Sequence, residues 1–317
     1  MSSTSILITG GTGFAGSHLV EELVKRGETN VHVTSFATHP SVVHDLLPAD
    51  HIHQVNLQDK DATKTLLAKI KPQHIYHLAA LAAVGSSFTD AENQITNNTL
   101  LQLSLLEAVK AVTAKARVLV VGSAQEYDVV AYPTEKIAED HPLGPISPYA
   151  VSKVTQDLLG LSYHYAYKLD VVRVRPFNHI GERQALSFAV PNFAQQIAQL
   201  EKQDGGKLLV GNLEGVRDFT DVKDTVKAYI LLMENGVAGE VYNVGSGVGV
   251  KMQSVVEQMI QLSHITITLV QDPAKLRPLD ALSLIADNGK IGRLGWQPSI
   301  PLEQTLNRVL DYWRAMD

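Results

Sequence analysis

The chain has 317 residues, 45% hydrophobic and 19% charged, which suits one large α/β unit or two domains and argues against disorder or a coiled coil. A net charge of -6 gives no general attraction to nucleic acid or an anionic membrane, and the lack of cysteine excludes disulfides, thiolate zinc sites and a cysteine nucleophile. The sequence opens without a basic-then-apolar leader and contains no run of about 18 apolar residues, so a cytoplasmic setting without membrane insertion is expected.

The first half alternates short β-branched runs with stretches of helical period, the pattern of a parallel sheet covered on both faces. Strands are expected over 5–8, 31–35, 51–55, 74–78, 117–121 and 171–174. Helices are expected over 14–26, 41–47, 62–70, 94–110 and 149–168, with Gly27 capping the first and Pro48 and Pro72 stopping the next two. This predicts a doubly wound α/β sheet over residues 1–175. Beyond Pro176 the pattern loosens into a helix over 191–201, a glycine-rich stretch over 205–215, a helix over 222–233 and a strand over 241–244. A smaller C-terminal substrate domain, residues 176–219 and 247–317, is expected to interleave with the first through a returning segment near 220–246.

Gly10, Gly13 and Gly16 stand three apart between the first strand and the first helix. Such a turn must visit positive φ, let backbone approach a pyrophosphate, and pack helix on strand without a Cβ. The helix amino terminus then offers free N–H groups and partial positive charge to the phosphates. At the end of the second strand an acid would bind the ribose hydroxyls of NAD and repel a 2′-phosphate. The segment from Val33 to His39 has neither acid nor arginine, while Ser35, Thr38 and His39 can hydrogen-bond a phosphate. NADP(H) is therefore favoured, with NAD(H) left open.

Two tyrosines stand four residues before a lysine. Tyr132 precedes Pro133, which takes it out of helical geometry, so its pairing with Lys136 reads as surface decoration. Tyr149 follows Ser147 and Pro148 at a helix start, so Lys153 lies one turn along the same face, where an ammonium is expected to lower the phenol pKa. Ser123 follows the strand over 117–121, at the same sheet edge as the glycine turn. Reducing a ketone needs a proton donor at its oxygen, and a tyrosine aided by a serine hydroxyl supplies one.

With these residues in place, the chain resembles the extended short-chain dehydrogenase/reductase family of nucleotide-sugar epimerases, dehydratases and reductases, which implies a Rossmann fold. The resemblance spans nearly the whole length and rests on Thr9 to Gly16, His77 to Ala80, Ser87 with Phe88, Asn98, Ser123, Tyr149 with Lys153, and Arg175 to His179. It implies Tyr149 as acid/base, Lys153 as its tuning partner, and Ser123 as the group that aligns the substrate oxygen. It further implies cofactor contacts at Gly10, Gly13, Phe14, Ala15, Gly16, Ser35, Asn56, Leu57, Leu78, Ala79, Ala80, Asn98, Tyr149, Lys153, Pro176 and His179.

The second half is similar to the GDP-mannose branch through Gly211 to Phe219, Lys275 to Pro278, and Leu294 to Pro298. That similarity implies a GDP-sugar or other nucleotide-diphospho-sugar, with Asn178, Arg217 and Arg277 on the diphosphate and further contacts from Ser87, Ser123, Gln125, Asn192 and Asp280. Dehydratases of the branch carry a glutamate two residues after the serine or threonine to remove a C5 proton, whereas this chain has Gln125, which cannot take one. Glu126, one position on, is expected to face away from the pocket. A 4-keto reductase using NADPH is the expected reading, and a 4-epimerase with tightly held NAD the alternative. A non-catalytic dinucleotide sensor would have little use for the serine, tyrosine and lysine together. No metal is expected, His44, His51 and His53 being read as surface histidines. The helices over 94–110 and 149–168 are apolar on more than one face, which predicts a homodimer through a four-helix bundle.

Overall fold

The computed structural model describes residues 4–36, 41–82, 84–276, 281 and 283–316. Six strands of the first half, β1 (Ile6–Thr9), β2 (Val31–Ser35), β3 (Ile52–Gln54), β4 (His74–His77), β5 (Arg117–Val121) and β6 (Asp170–Pro176), lie in the order β6-β5-β4-β1-β2-β3. Every pairing is parallel, with Ile6 opposite Val31 on one side and His74 on the other. All four residues of β1 are buried because helices cover both faces, which is why it reads as an unbroken apolar run. The reversal of strand order beside β1 puts the ends of β1, β4 and β5 around one crevice.

The helices between the strands are α1 (Phe14–Lys25), α2 (Val43–Leu46), α3 (Lys60–Ile70), α4 (Val84–Ser87), α5 (Ala91–Val112) and α6 (Pro148–Tyr167). Asp59 accepts hydrogen bonds from the N–H groups of Asp61 and Ala62, so α3 starts two residues before its expected start. Ser147 accepts from Ala150 N–H and Pro148 opens the first turn, which sets the start of α6. Leu67, Leu105, Leu106, Val109 and Tyr163 of α3, α5 and α6 bury one sheet face around Leu7, Ile75, Val118 and Val171.

The rest of the chain forms β7 (Asn178–Ile180), α7 (Ala189–Glu201), β8 (Gly206–Val210), β9 (Val216–Asp221), α8 (Val222–Asn235), β10 (Val241–Val244), β11 (Gly249–Lys251), α9 (Met252–Ser263), β12 (Ile267–Gln271), β13 (Ser283–Leu284), α10 (Gly289–Gly292) and α11 (Leu302–Met316). α8 and β10 return to the first half. β10 extends the large sheet beside β6, with Tyr242 opposite Val174, and α8 joins α1 over Ile6, Ile8, Val31 and Val33. α7, α9 and α11 enclose a second core of Phe193, Ile197, Val255, Met259, Leu306 and Leu310. The glycine-rich stretch is not a plain loop: after Gly205 and Gly206 at positive φ, β8 pairs with β12 and buries Leu208 and Val210.

His44 is exposed as expected, whereas His51 and His53 are not open surface residues. His51 closes a short 3-10 turn (Ala49–His51) ahead of β3, and the His32 ring stacks 4.0 Å from His51 with its Nδ1 3.1 Å from His53 Nε2. Burial holds His32 down at about 4 and lowers His53 as well, and the three rings form a partly buried group. Among the described residues no group of three or more His, Asp or Glu side chains is arranged to hold a metal ion, and no helix is long and apolar enough to cross a membrane.

Candidate active site

The turn after β1 is built around missing Cβ atoms. Gly10 takes φ +69°, and a Cβ on Gly16 would stand 2.3 Å from the Gly10 carbonyl oxygen. β2 braces the turn: Gly10 N–H donates to Thr34 Oγ1 at 3.1 Å, Gly11 N–H donates to the Thr34 carbonyl at 3.1 Å, and Thr12 and Ser35 hydroxyls lie 2.9 Å apart. β4 braces it from the other side, where Ala79 N–H donates to Thr9 Oγ1 and His77 Nδ1 lies 2.8 Å from that same hydroxyl. Gly13 is the N-cap of α1, no side chain caps this helix, and no acid stands in its first turn. Phe14, Ala15 and Gly16 therefore present open N–H groups at a positive helix end, a fit for a dinucleotide phosphate.

Around this cradle lie other expected cofactor positions. Leu78 and Ala79 press on Gly10, Asn56 and Leu57 form the turn after β3, and Pro176 ends β6. The His179 ring is stacked with Phe14, 5.8 Å between centroids, and its Nδ1 lies 3.1 Å from the Phe177 carbonyl. Asn98 differs: it is fully buried, its Oδ1 accepts from Leu81 N–H and its Nδ2 donates to the Leu81 carbonyl and Ser152. Its amide thereby braces the loop after β4, beside the crevice. Thr38 and His39 lie outside the described residues.

At the end of β5, Ser123 caps a 3-10 turn (Ala124–Glu126), its Oγ accepting from Gln125 N–H at 3.2 Å. Tyr149 from the first turn of α6 meets the Ser123 side chain, and Lys153 one turn on donates to the Val121 carbonyl at 2.9 Å. Burial pushes the Tyr149 phenol up to about 12, against the expected lowering, because desolvation, with a smaller push from Glu126, outweighs the Ser123 contact. Lys153 is pushed down to about 8 by the same burial. Tyr132 and Lys136 are exposed and lie outside any helix.

Glu126 does face away from the crevice, yet it is no bystander. Its Oε1 accepts Ser123 N–H at 2.7 Å and its Oε2 accepts Arg175 Nε at 3.0 Å, so it holds Ser123 from behind. The pattern Ser-x-x-Glu from Ser123 to Glu126 is a capping-box signature, and that signal was available in the sequence. Thr34, which braces the cradle from β2, gave no sequence signal of its own.

On the substrate side, Arg217 is buried on β9, and the neighbouring Asp218 accepts from the N–H groups of Ser246, Gly247 and Ala286. Asn178 opens β7, beside β9. Asn192 Oδ1 accepts from Lys275 Nζ at 2.7 Å, which ties α7 to the segment preceding Arg277. Ser87 is buried, with its hydroxyl donating to the Val84 carbonyl. Gln125 is half-buried at the crevice. Arg277 and Asp280 lie outside the described residues.

Comparison with known proteins extends this geometry. Residues 7–309 match the family described as GDP-mannose 4,6 dehydratase. The chain is 32% identical to the GDP-6-deoxy-D-mannose reductase of Pseudomonas aeruginosa, over 98% of this chain and 97% of that protein. The solved structure of RMD from Pseudomonas aeruginosa complexed with NADPH superposes with TM-score 0.85 and 30% identity, covering 99% and 100% of the two chains. The UDP-glucose 4-epimerase of Thermus thermophilus in complex with NAD also reaches TM-score 0.85, at 27% identity over 98% of this chain and 99% of that one.

Proposed function

The chain belongs to the GDP-mannose 4,6 dehydratase family within the NAD(P)-dependent nucleotide-sugar enzymes, and from that premise we propose that it reduces the C4 ketone of a GDP-linked 4-keto-6-deoxy-hexose with NADPH. The observation that carries this reading is the contact of a buried Tyr149 with Ser123, beside a Glu126 carboxylate that is turned into the core. A phenol held up at about 12 stays protonated at neutral pH and is matched to an alkoxide, which makes it a proton donor. Gln125 cannot act as the base that dehydration needs.

When bound, the reduced nicotinamide supplies the hydride to C4. Tyr149 Oη–H then gives its proton to the C4 oxygen, so the carbonyl becomes an alcohol. Ser123 Oγ accepts from Gln125 N–H, which orients its hydroxyl, and in this reading that hydroxyl holds the C4 oxygen in line beside Tyr149. The Lys153 ammonium, fixed on Val121, keeps positive charge beside the reacting oxygen. Residues 176–219 and 247–317 form the substrate domain in this reading, with Asn178, Arg217 and Arg277 on the diphosphate, for which arginine forks are suited. Ser35, with no acid at the end of β2, favours the 2′-phosphate of NADPH. The cytoplasm is the proposed setting.

The likeness to a UDP-glucose 4-epimerase with NAD supports a second reading, in which the same three residues act twice on a sugar that turns over. Incubation with GDP-, UDP- and dTDP-linked 4-keto-6-deoxy sugars, each with NADPH or NADH, separates the two. Oxidation of NADPH with the GDP sugar is expected. No oxidation with any of them, together with interconversion of UDP-glucose and UDP-galactose, refutes the reductase.

A further inference from the structure

Behind the catalytic serine lies a closed cluster of four charges. Glu126, Asp157, Arg173 and Arg175 are each at most 6% exposed. Arg175 bonds both Glu126 and Asp157, while Arg173 bonds Asp157 at 3.2 Å. Such clusters are poor devices for stability, since desolvating the ions offsets much of their attraction and apolar residues of similar volume serve as well. The backbone is shaped to admit this one: a Cβ on Gly122 would stand 2.2 Å from Glu126 Oε1.

We propose that Glu126 is a positioning residue for the reaction, holding Ser123 against Tyr149 from behind the crevice. This rests on the reading of Tyr149 and Lys153 given above. Oε1 pins the backbone of Ser123 while the Gln125 N–H pins its Oγ, so the serine is held at both ends. The groups around the three residues come from every neighbouring element. Asp157 of α6 and Arg175 of β6 face Glu126, and Tyr127 packs under the Arg175 guanidinium. His77 of β4 and His179 of β7 face Lys153, and Tyr229 of α8 faces Tyr149. Burial keeps both histidines neutral and, with the Asp157 carboxylate beside it, pushes Glu126 up to about 8 against the pull of Arg175, so the Glu126 charge that strengthens proton binding at Lys153 and Tyr149 develops on the alkaline side.

The test is the pH dependence of kcat for Glu126→Gln and Glu126→Asp, with cofactor affinity measured alongside. On the alkaline side, where Glu126 is ionised, removing its charge lets Tyr149 and Lys153 lose their protons more readily, so Glu126→Gln should move the alkaline limb down by about one pH unit. Its kcat should fall about tenfold or more while cofactor Kd stays within about twofold. Glu126→Asp, which keeps the charge on a shorter arm, should lose kcat with the limb near its wild-type position. A role in stability alone would leave the limb unmoved in both variants, and that result overturns the proposal. Should Glu126→Gln fail to fold, Gly122→Ala decides, since it keeps the carboxylate but pushes it off its seat. A tenfold loss of kcat with intact cofactor binding supports the proposal, and an unchanged kcat overturns it. Tyr149→Phe run in parallel separates the failures: normal turnover there removes the underlying reading, whereas an inactive Tyr149→Phe beside an unmoved limb removes only Glu126.

Discussion

Gly13 and Gly16 belong to one motif, yet the structure gives them different tasks, and paired alanine variants separate them. Gly13 has φ -76° and ψ -176°, a backbone any residue adopts, and a Cβ there would meet only the Gly10 carbonyl oxygen, at 3.2 Å. Alanine at a compatible backbone position gains about 0.4–1 kcal/mol through the unfolded chain, which roughly offsets that mild contact. The stability of Gly13→Ala should therefore stay within about 1 kcal/mol of wild type. The new methyl instead occupies the space before the α1 N–H groups, and each charge-assisted bond to phosphate lost there costs about 1.5–3 kcal/mol, or roughly 10- to 100-fold in Kd. For Gly16→Ala the methyl would lie 2.3 Å from the Gly10 oxygen and 2.8 Å from the Gly11 Cα, so backbone must move. Overpacking of that kind costs about 1–3 kcal/mol of stability before any ligand is added. Calorimetric titration with NADPH and NADH, together with urea midpoints of the free protein, reads both quantities. Wild-type affinity in Gly13→Ala would falsify the phosphate-cradle assignment, and an unperturbed midpoint in Gly16→Ala would refute the packing argument.

Tyr149→Phe should lower kcat by about 10²- to 10⁴-fold with little change in cofactor Kd, while Tyr132→Phe, on an exposed turn, should behave as wild type in the same assay. His77, held neutral at about 3 by burial, contributes stability that is complete above about pH 6.5 and is lost as pH falls toward 3, at up to about 1.4 kcal/mol per pH unit. Urea midpoints across that window should fall in wild type and flatten in His77→Gln; parallel slopes would contradict the assignment. Val151, Leu158, Tyr165 and Tyr167 leave an apolar surface on α6, and we expect it to pair with a second copy. Sedimentation at micromolar concentration should show a dimer that Leu158→Glu dissociates, and a wild-type monomer would count against it.

The parallel sheet was legible because β-branched runs such as 117–121, buried on both faces, have few other readings. The glycine turn and the Ser123, Tyr149 and Lys153 set were legible because each follows a recognisable strand end or helix start. The missed elements are the ones whose signal is tertiary. α9 and α11 are amphipathic helices that become identifiable only with their shared core around Val256 and Leu306, and β8 is a strand because β12 pairs with it. The phenol pKa was misjudged for a similar reason. Helical spacing showed that Lys153 lies near Tyr149, but not that the ammonium would donate to Val121 while desolvation dominated.

The step from Gln125 to Glu126 carries the division between dehydration and reduction. In a 3-10 turn neighbouring residues are rotated by about 120°, so one position changes the direction of a side chain completely. Gln125 is the half-buried one at the crevice, and Glu126 is the one locked on Ser123 and Arg175. Gln125→Glu should therefore fold normally and place a second, free carboxylate near the substrate. The C5 proton of a 4-keto sugar is acidified by the adjacent ketone, so such a base should exchange it with solvent even where elimination of water does not follow. The assay is mass spectrometry of the sugar after incubation in deuterium oxide with cofactor. Wild type should retain C5 protium and Gln125→Glu should incorporate deuterium there. Equal incorporation in both would mean that this position does not face C5, and the argument excluding dehydration would then lose its structural basis.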